Sequence, residues 1–347
     1  MSSCPQVRLK TRVHTGRSQL LALIKERICR YGKIFCFNCV NIKMSLLYKK
    51  PLSGQTESIE RRHTREPLAD SAKAPSRFAA LKAAALFSPA SGRVKIGFVG
   101  LAAGAGATTL CFAAAEYLAA LSSGRGGSKP FTHKTGRTVT VLELDLKPFA
   151  PAGSPYDKIG VDRRFAGRDF VSIYRLAAEG KPLHGACNID GGVSWALRVP
   201  GESVPPPDHA TLHRLVGNVF GDIVLCDISA TAILAGGGHA ANRAALTALL
   251  ADLDHIVCIF DPLPSRLLAS VPAAEACRAA AASGVPVTCV FNKFNPGVNM
   301  REALRFTGVK DSLPFPAVPA EAVYAAEFAC RSLSPELASP LSALFLA

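Results

Sequence analysis

The sequence lacks the features that would commit it to a membrane, a secreted scaffold or a metal centre. No run approaches the roughly 18 consecutive apolar residues that a spanning helix requires, which argues against an integral membrane protein. The first residues are basic and polar, with no apolar core followed by a small-residue cleavage site, so a cytoplasmic protein is expected. The 11 cysteines are odd in number and irregularly spaced, which argues against a disulfide framework. Cys111, Cys226, Cys258, Cys277 and Cys289 sit inside apolar runs, where a free thiol behaves as a small buried hydrophobe. Cys36 and Cys39 form a CxxC pair with no second pair at zinc-ligand spacing. His184, His209, His213, His239 and His255 form no ligand set, and no Ser/His/Asp or Cys/His arrangement or internal repeat is present.

Acidic charge is scarce only at the amino-terminal end. Residues 1–93 hold 18 Lys and Arg against 5 Asp and Glu, whereas residues 94–347 hold 22 against 21. Of the net charge of +14, +13 (18 − 5) therefore belongs to the tail and +1 (22 − 21) to the remainder, which implies no basic face there. Within the tail, Leu20, Leu21, Ile24 and Ile28 recur at helical spacing beside Lys25, Arg27 and Arg30. Two readings follow: a cationic amphipathic helix that contacts an anionic membrane or nucleic acid, peripheral to the membrane in the first case, or a disordered basic tail. Met44 is an alternative start.

From Arg93 onward the texture changes to alternating strands and helices, which predicts an α/β fold with a mostly parallel sheet covered by helices on both faces. Strands are expected at 94–100, 138–144, 222–226, 256–260 and 285–291, with helices at 108–121, 209–219, 240–250 and 272–282. Strands apolar along their whole length suit a sheet buried on both sides. Residues 122–136 are expected to be a flexible loop, and Trp195, the only tryptophan, is read as a core anchor or a partner contact after a turn.

The chemistry concentrates where the first strand meets the first helix, in Gly97-Phe-Val-Gly-Leu-Ala-Ala-Gly-Ala-Gly-Ala-Thr-Thr-Leu110. A strand that runs through small residues directly into a helix lines up backbone N–H groups as an anion-binding nest, reinforced by the helix dipole. Gly104 and Gly106 allow the positive φ angles and close backbone approach that a phosphate requires. Thr108 stands where such a loop supplies a hydroxyl for Mg²⁺.

This segment resembles the deviant Walker A loop, KGGxGKTT, of the ParA/MinD family of P-loop ATPases. On that alignment Ala103, Gly104, Ala105, Gly106, Ala107, Thr108 and Thr109 are the nucleotide-binding positions. The family's phosphate-binding lysine is replaced by Ala107, and its signature lysine by Ala102. Further landmarks follow in family order. The segment 141–148 resembles the family's Asp-x-Asp-Pro, with Asp145 present and Lys147 at the second acidic position. Residues 222–227 resemble a Walker B strand that ends in Asp227. Residues 256–262 resemble the strand before a Val-x-x-Pro turn, and 290–294 the strand end where Asn292 would bond the adenine edge. Leu313-Pro314-Phe315-Pro316 resembles the base-pocket loop. Asn292-Lys293 is also open to a turn reading, and it departs from a guanine-reading NKxD at Asn295.

The resemblance implies a P-loop domain over 93–347, with residues 1–92 as a basic tail. It implies ATP and Mg²⁺ as ligands, with Thr108, Asp145 and Asp227 as partners of the metal through water. It also implies a homodimer, an unidentified protein partner and a regulatory or positioning role. Phosphoryl transfer is mostly positioning and charge neutralisation, so losing both lysines and an acid implies weak or absent hydrolysis, a pseudo-ATPase. No residue is assigned a catalytic role. Any turnover would need a substitute cation, for which Arg163, Arg164 or a residue of a second subunit are candidates. The alternative is a nucleotide-independent scaffold that keeps the fold as a docking or localisation module.

Overall fold

The computed structural model describes residues 92–122, 137–145, 154–205, 207–234, 239–294, 297–307 and 312–345. The tail with its amphipathic segment and Cys36–Cys39 pair, nearly all of the 122–136 loop, Lys147 and Asn295 lie outside the described residues.

The chain from Val94 builds one eight-stranded sheet. Strand β1 (Val94–Gly100) leads into helix α1 (Ala107–Ser122), and β2 (Val139–Leu144) follows. Three short helices, α2 (Pro155–Lys158), α3 (Val161–Arg164) and α4 (Ile173–Ala178), come next. The hairpin β3 (Ile189–Asp190) and β4 (Val193–Ala196) precedes α5 (His209–Asn218) and β5 (Ile223–Ile228). Then come α6 (Ala230–Leu234), α7 (His239–Ala251), β6 (His255–Phe260), α8 (Pro264–Ala282) and β7 (Val287–Phe294). The chain continues with α9 (Met300–Thr307), β8 (Ser312–Pro316), α10 (Ala320–Phe328), α11 (Pro335–Ala338) and α12 (Ser342–Phe345).

The strand order is β3-β4-β2-β5-β1-β6-β7-β8, parallel throughout except for β3 against β4. Strand β1 lies between β5 and β6, so its carboxyl end opens among the ends of its neighbours. Period-two alternation divides each strand between two cores. Ile96, Phe98, Val141 and Leu225 pack with α1, Trp195 and the carboxyl-terminal helices. Val99, Leu142, Val224 and Cys226 face the other way, toward α4, α5, α7 and α8. Every residue of β2 and β5 is buried, including the charged Glu143 and Asp227, as expected of a sheet covered on both faces.

The structure revises two expectations and decides between the two readings of Trp195. Helix α8 begins at Pro264, not near Pro272, and runs through that proline. A proline at position 272 removes the amide that would bond the carbonyl of Leu268, and Leu268 is exposed, so water can take that place. The segment 313–316 is an edge strand, β8, and not a loop. Trp195 is a core anchor, fully buried edge-on against Phe112. The five cysteines in apolar runs are free and buried, as expected. Among the described residues, no helix is long and apolar enough to cross a membrane.

Candidate nucleotide site

The turn between β1 and α1 forms the floor of a cavity of about 410 Å³. It starts at Leu101, whose amide bonds Ile259 O of β6, and tightens through Ala105 N–H donating to Ala102 O at 3.1 Å. Gly104 and Gly106 have φ of 73° and 92°, the left-handed backbone that side chains disfavour. The seven loop residues from Ala103 to Thr109 all line the cavity, as do Asp145, Asp227 and Asn292. Sequence reasoning assembled these residues from four strand ends, and the sheet brings them together.

Thr108 at the start of α1 and Asp227 at the end of β5 line the same cavity, and the Thr108 hydroxyl favours the charged form of the Asp227 carboxyl. Burial pushes the Asp227 carboxyl up to about 6, against the opposing effects of Thr108 and of Lys158, with Asp145 raising it further. Glu143, one turn of the pleat before Asp145, is also in the cavity wall. Burial raises its carboxyl to about 8 even though Arg198 N–H donates to its Oε2 at 3.0 Å, and Asp227 and Asp145 add to the rise. Glu143 is therefore largely a neutral acid at pH 7. The Tyr174 hydroxyl pins this strand end, accepting from Asp145 N–H and donating to Glu143 O, both at 3.0 Å. Among the described residues, no three His, Cys, Asp or Glu side chains are grouped to hold a metal by themselves.

On the other side of the loop, β7 forms a clamp. Asn292 Nδ2 donates to Ala105 O at 2.7 Å, while its Oδ1 accepts from Lys293 N–H at 2.8 Å. Lys293 Nζ donates to Gly104 O at 2.7 Å and pairs with Asp261 Oδ2 at 3.0 Å. Both side chains reach the same loop because the β7–β8 register slips between Phe291 and Phe294, and Lys293 adopts a left-handed φ of 57°. The hydrogen bonds of Asn292 thus serve the phosphate loop, whereas the resemblance implied an adenine contact.

Two further expectations move by short steps. Pro314 is exposed and does not line the cavity; its neighbour Phe315 is fully buried and does, because adjacent residues of β8 face opposite sides. Arg163 and Arg164 do not line the cavity. Arg163 Nη1 donates to Phe328 O at 2.8 Å, and Arg164 binds Glu116 and Cys330 O. The cations that line the cavity, among the described residues, are Lys158 and Lys293. Sequence reasoning singled out neither as a cation of the site. Glu143 left one signal, a charge inside an apolar strand. Lys158 left none.

This architecture, a small-residue loop between a central parallel strand and a helix with Thr108 and Asp227 beside it, is an α/β fold of the P-loop type. No protein-family model and no curated protein matches the chain. Among solved structures, it is similar to a Borrelia burgdorferi B31 protein assigned to plasmid partition and bound to AMPPNP, with a TM-score of 0.51 and 11% identity over 73% of this chain and 96% of that one. It also matches the cell-division ATPase MinD of Pyrococcus furiosus, with a TM-score of 0.49 and 17% identity over 73% of this chain and 99% of that one. A ParA-family ATPase of Chlorobium tepidum matches with a TM-score of 0.47 and 16% identity over 75% and 100%. The likeness to the Borrelia structure is one of fold.

Proposed function

We propose that this chain is an ATP-binding regulatory or positioning protein that turns over its nucleotide slowly or not at all. One observation carries the reading: Thr108, Asp145 and Asp227 line the same cavity as a glycine-shaped loop. In this site Thr108, Asp145 and Asp227 would hold Mg²⁺ through water, and the ion would neutralise charge on the bound phosphates. The AMPPNP in the similar Borrelia structure supports a nucleotide as ligand. The buried Ala107 and Ala102 supply no charge, which supports weak hydrolysis. A cytoplasmic homodimer with a protein partner completes the proposal, with the basic tail contacting anionic lipid or nucleic acid.

A second reading, a scaffold that needs no nucleotide, is favoured by the clamp. Asn292 and Lys293 hold the loop carbonyls with protein donors, so the loop keeps its shape by itself. Thermal melting of the full chain with Mg-ATP separates the two. At a hundred times the dissociation constant, ATP should stabilise the domain by about 2.7 kcal/mol. Ala107→Lys should tighten binding by about 1–3 kcal/mol, comparable to a charge-assisted hydrogen bond. If neither the wild type nor this variant binds ATP, the scaffold reading stands. A robust Mg²⁺-dependent ATPase rate abolished by Thr108→Ala would overturn the claim of weak hydrolysis.

A further inference from the structure

A phosphate-binding cavity with no lysine in its loop leaves its charge balance to other elements. Three carboxyl groups, those of Glu143, Asp145 and Asp227, line this one. The lining cations among the described residues are Lys158 and Lys293, and they are placed differently. The ammonium of Lys293 is committed to Gly104 O and to the buried Asp261. It holds the loop from the β6–β7 side, and drawing it onto a phosphate would strip Asp261 of its ion pair.

Lys158 comes from a separate part of the chain. It is the last residue of α2, a single helical turn fixed at both ends. At the start, Ser154 and Asp157 form a reciprocal capping box, and Pro155 sets the first helical φ. At the end, Ile159 is buried, and Gly160 turns left-handed directly against the Cys330 side chain, where a Cβ could not fit. Ser154, Pro155 and Lys158 all line the cavity, whereas Asp157 is exposed. The turn therefore presents its base to the site and keeps its acid in solvent. Lys158 shares the cavity wall with Thr108, Asp145 and Asp227, the side of the loop where Mg²⁺ and phosphate oxygens would meet, and its charge favours the Asp227 carboxylate.

We propose that Lys158 supplies from α2 the phosphate-neutralising charge that Ala102 and Ala107 lack, so that this chain binds the polyphosphate of its ligand with a lysine displaced from the loop to the neighbouring helical turn. The inference rests on the nucleotide-binding reading and adds the residue that discriminates for phosphate. A lysine there acts as a point charge on a flexible stem, suited to one or two non-bridging phosphate oxygens.

The test compares Mg-ATP with adenosine on full-length wild type, Lys158→Met and Lys158→Arg by isothermal titration, with melting temperatures confirming that each variant is folded. Lys158→Met should weaken Mg-ATP binding at least tenfold and leave adenosine affinity unchanged, while Lys158→Arg should retain most of the Mg-ATP affinity. Two outcomes overturn the inference and spare the nucleotide reading: Mg-ATP binding to Lys158→Met within twofold of wild type, or an equal loss for ATP and adenosine, which would mark a structural role. Failure of wild type to bind Mg-ATP overturns the nucleotide reading and the inference with it.

Discussion

The two sides of the phosphate loop are built on opposite plans. On the β6–β7 side, Asn292, Lys293 and Asp261 are joined to one another and to the loop carbonyls of Ala105 and Gly104. On the β2–β5 side, Glu143, Asp145, Asp227 and Lys158 line the cavity around Thr108, and burial raises two of the carboxyls. The first side fixes the shape of the loop, and the second offers ionic groups to whatever enters. A loop whose carbonyls are held from outside needs no lysine of its own to keep its conformation. Alanine at positions 102 and 107 therefore leaves the loop without charge but with its geometry, and the two can be broken separately.

The largest effect should come from breaking the geometry. Gly106 has a φ of 92°, and a Cβ there would fall on Asn292 Nδ2, the atom that holds Ala105 O. Gly106→Val adds a β-branched side chain to a backbone conformation such residues avoid, and it displaces the clamp. Mg-ATP binding should be lost beyond detection by titration while circular dichroism still reports a folded domain. Gly104→Ala is the control: its φ of 73° is also left-handed, but a Cβ there meets nothing within 4 Å. It should cost only about 1–2 kcal/mol of backbone strain. Equal binding by Gly106→Val and wild type would show that the clamp and the cradle are independent.

On the ionic side, the sharpest variant is Glu143→Gln. A carboxyl raised to about 8 in the fold from an ordinary value near 4.5 binds its proton more tightly folded than unfolded. It imposes no penalty below the unfolded value. As pH rises from about 4.5 the penalty grows, and it is complete above about 8. Stability should therefore decline across that window by on the order of a few kcal/mol. Glutamine keeps an oxygen for Arg198 N–H and cannot ionise. Urea unfolding at pH 5 and pH 8.5 should show the two proteins close at the lower pH and the variant more stable at the higher one. A parallel decline in both would place the titrating group elsewhere.

What was legible in the sequence follows the same division. The fold and the loop were readable because they rest on local backbone rules: apolar strands, small residues between strand and helix, and Asp227 at a strand end. The ionic side depends on residues brought in by tertiary structure. Lys158 enters on a four-residue helix whose direction is fixed by Ile159 and by Gly160 against Cys330, and no periodic pattern announces it. Arg163 and Arg164, which looked like substitute cations, are turned toward Phe328, Glu116 and Cys330. The shift from Pro314 to Phe315 is a difference of strand face, which a loop reading could not resolve. Asn292 was recognised by its motif, but only its partner atoms reveal that it holds the loop.

The smallest expected effect separates two contributions within the clamp itself. Lys293 pays a left-handed φ of 57° for a position from which its ammonium reaches both Gly104 O and Asp261. The side chain is 48% exposed, so solvent screens the pair, and its removal should cost on the order of 1–2 kcal/mol, less than for a fully buried pair. Lys293→Met and Lys293→Asn both delete the ammonium and leave Asp261 with the Leu263 amide as its remaining partner in the clamp. They differ in backbone preference, since asparagine tolerates the left-handed region better than methionine does. Lys293→Asn should therefore be the more stable of the two by roughly 0.5–1 kcal/mol in denaturant unfolding, with both below wild type. If methionine and asparagine destabilise equally, the left-handed turn at 293 is enforced by the β7–β8 register slip alone. If neither destabilises, the ion pair adds nothing to the clamp, and Asn292 alone holds the loop.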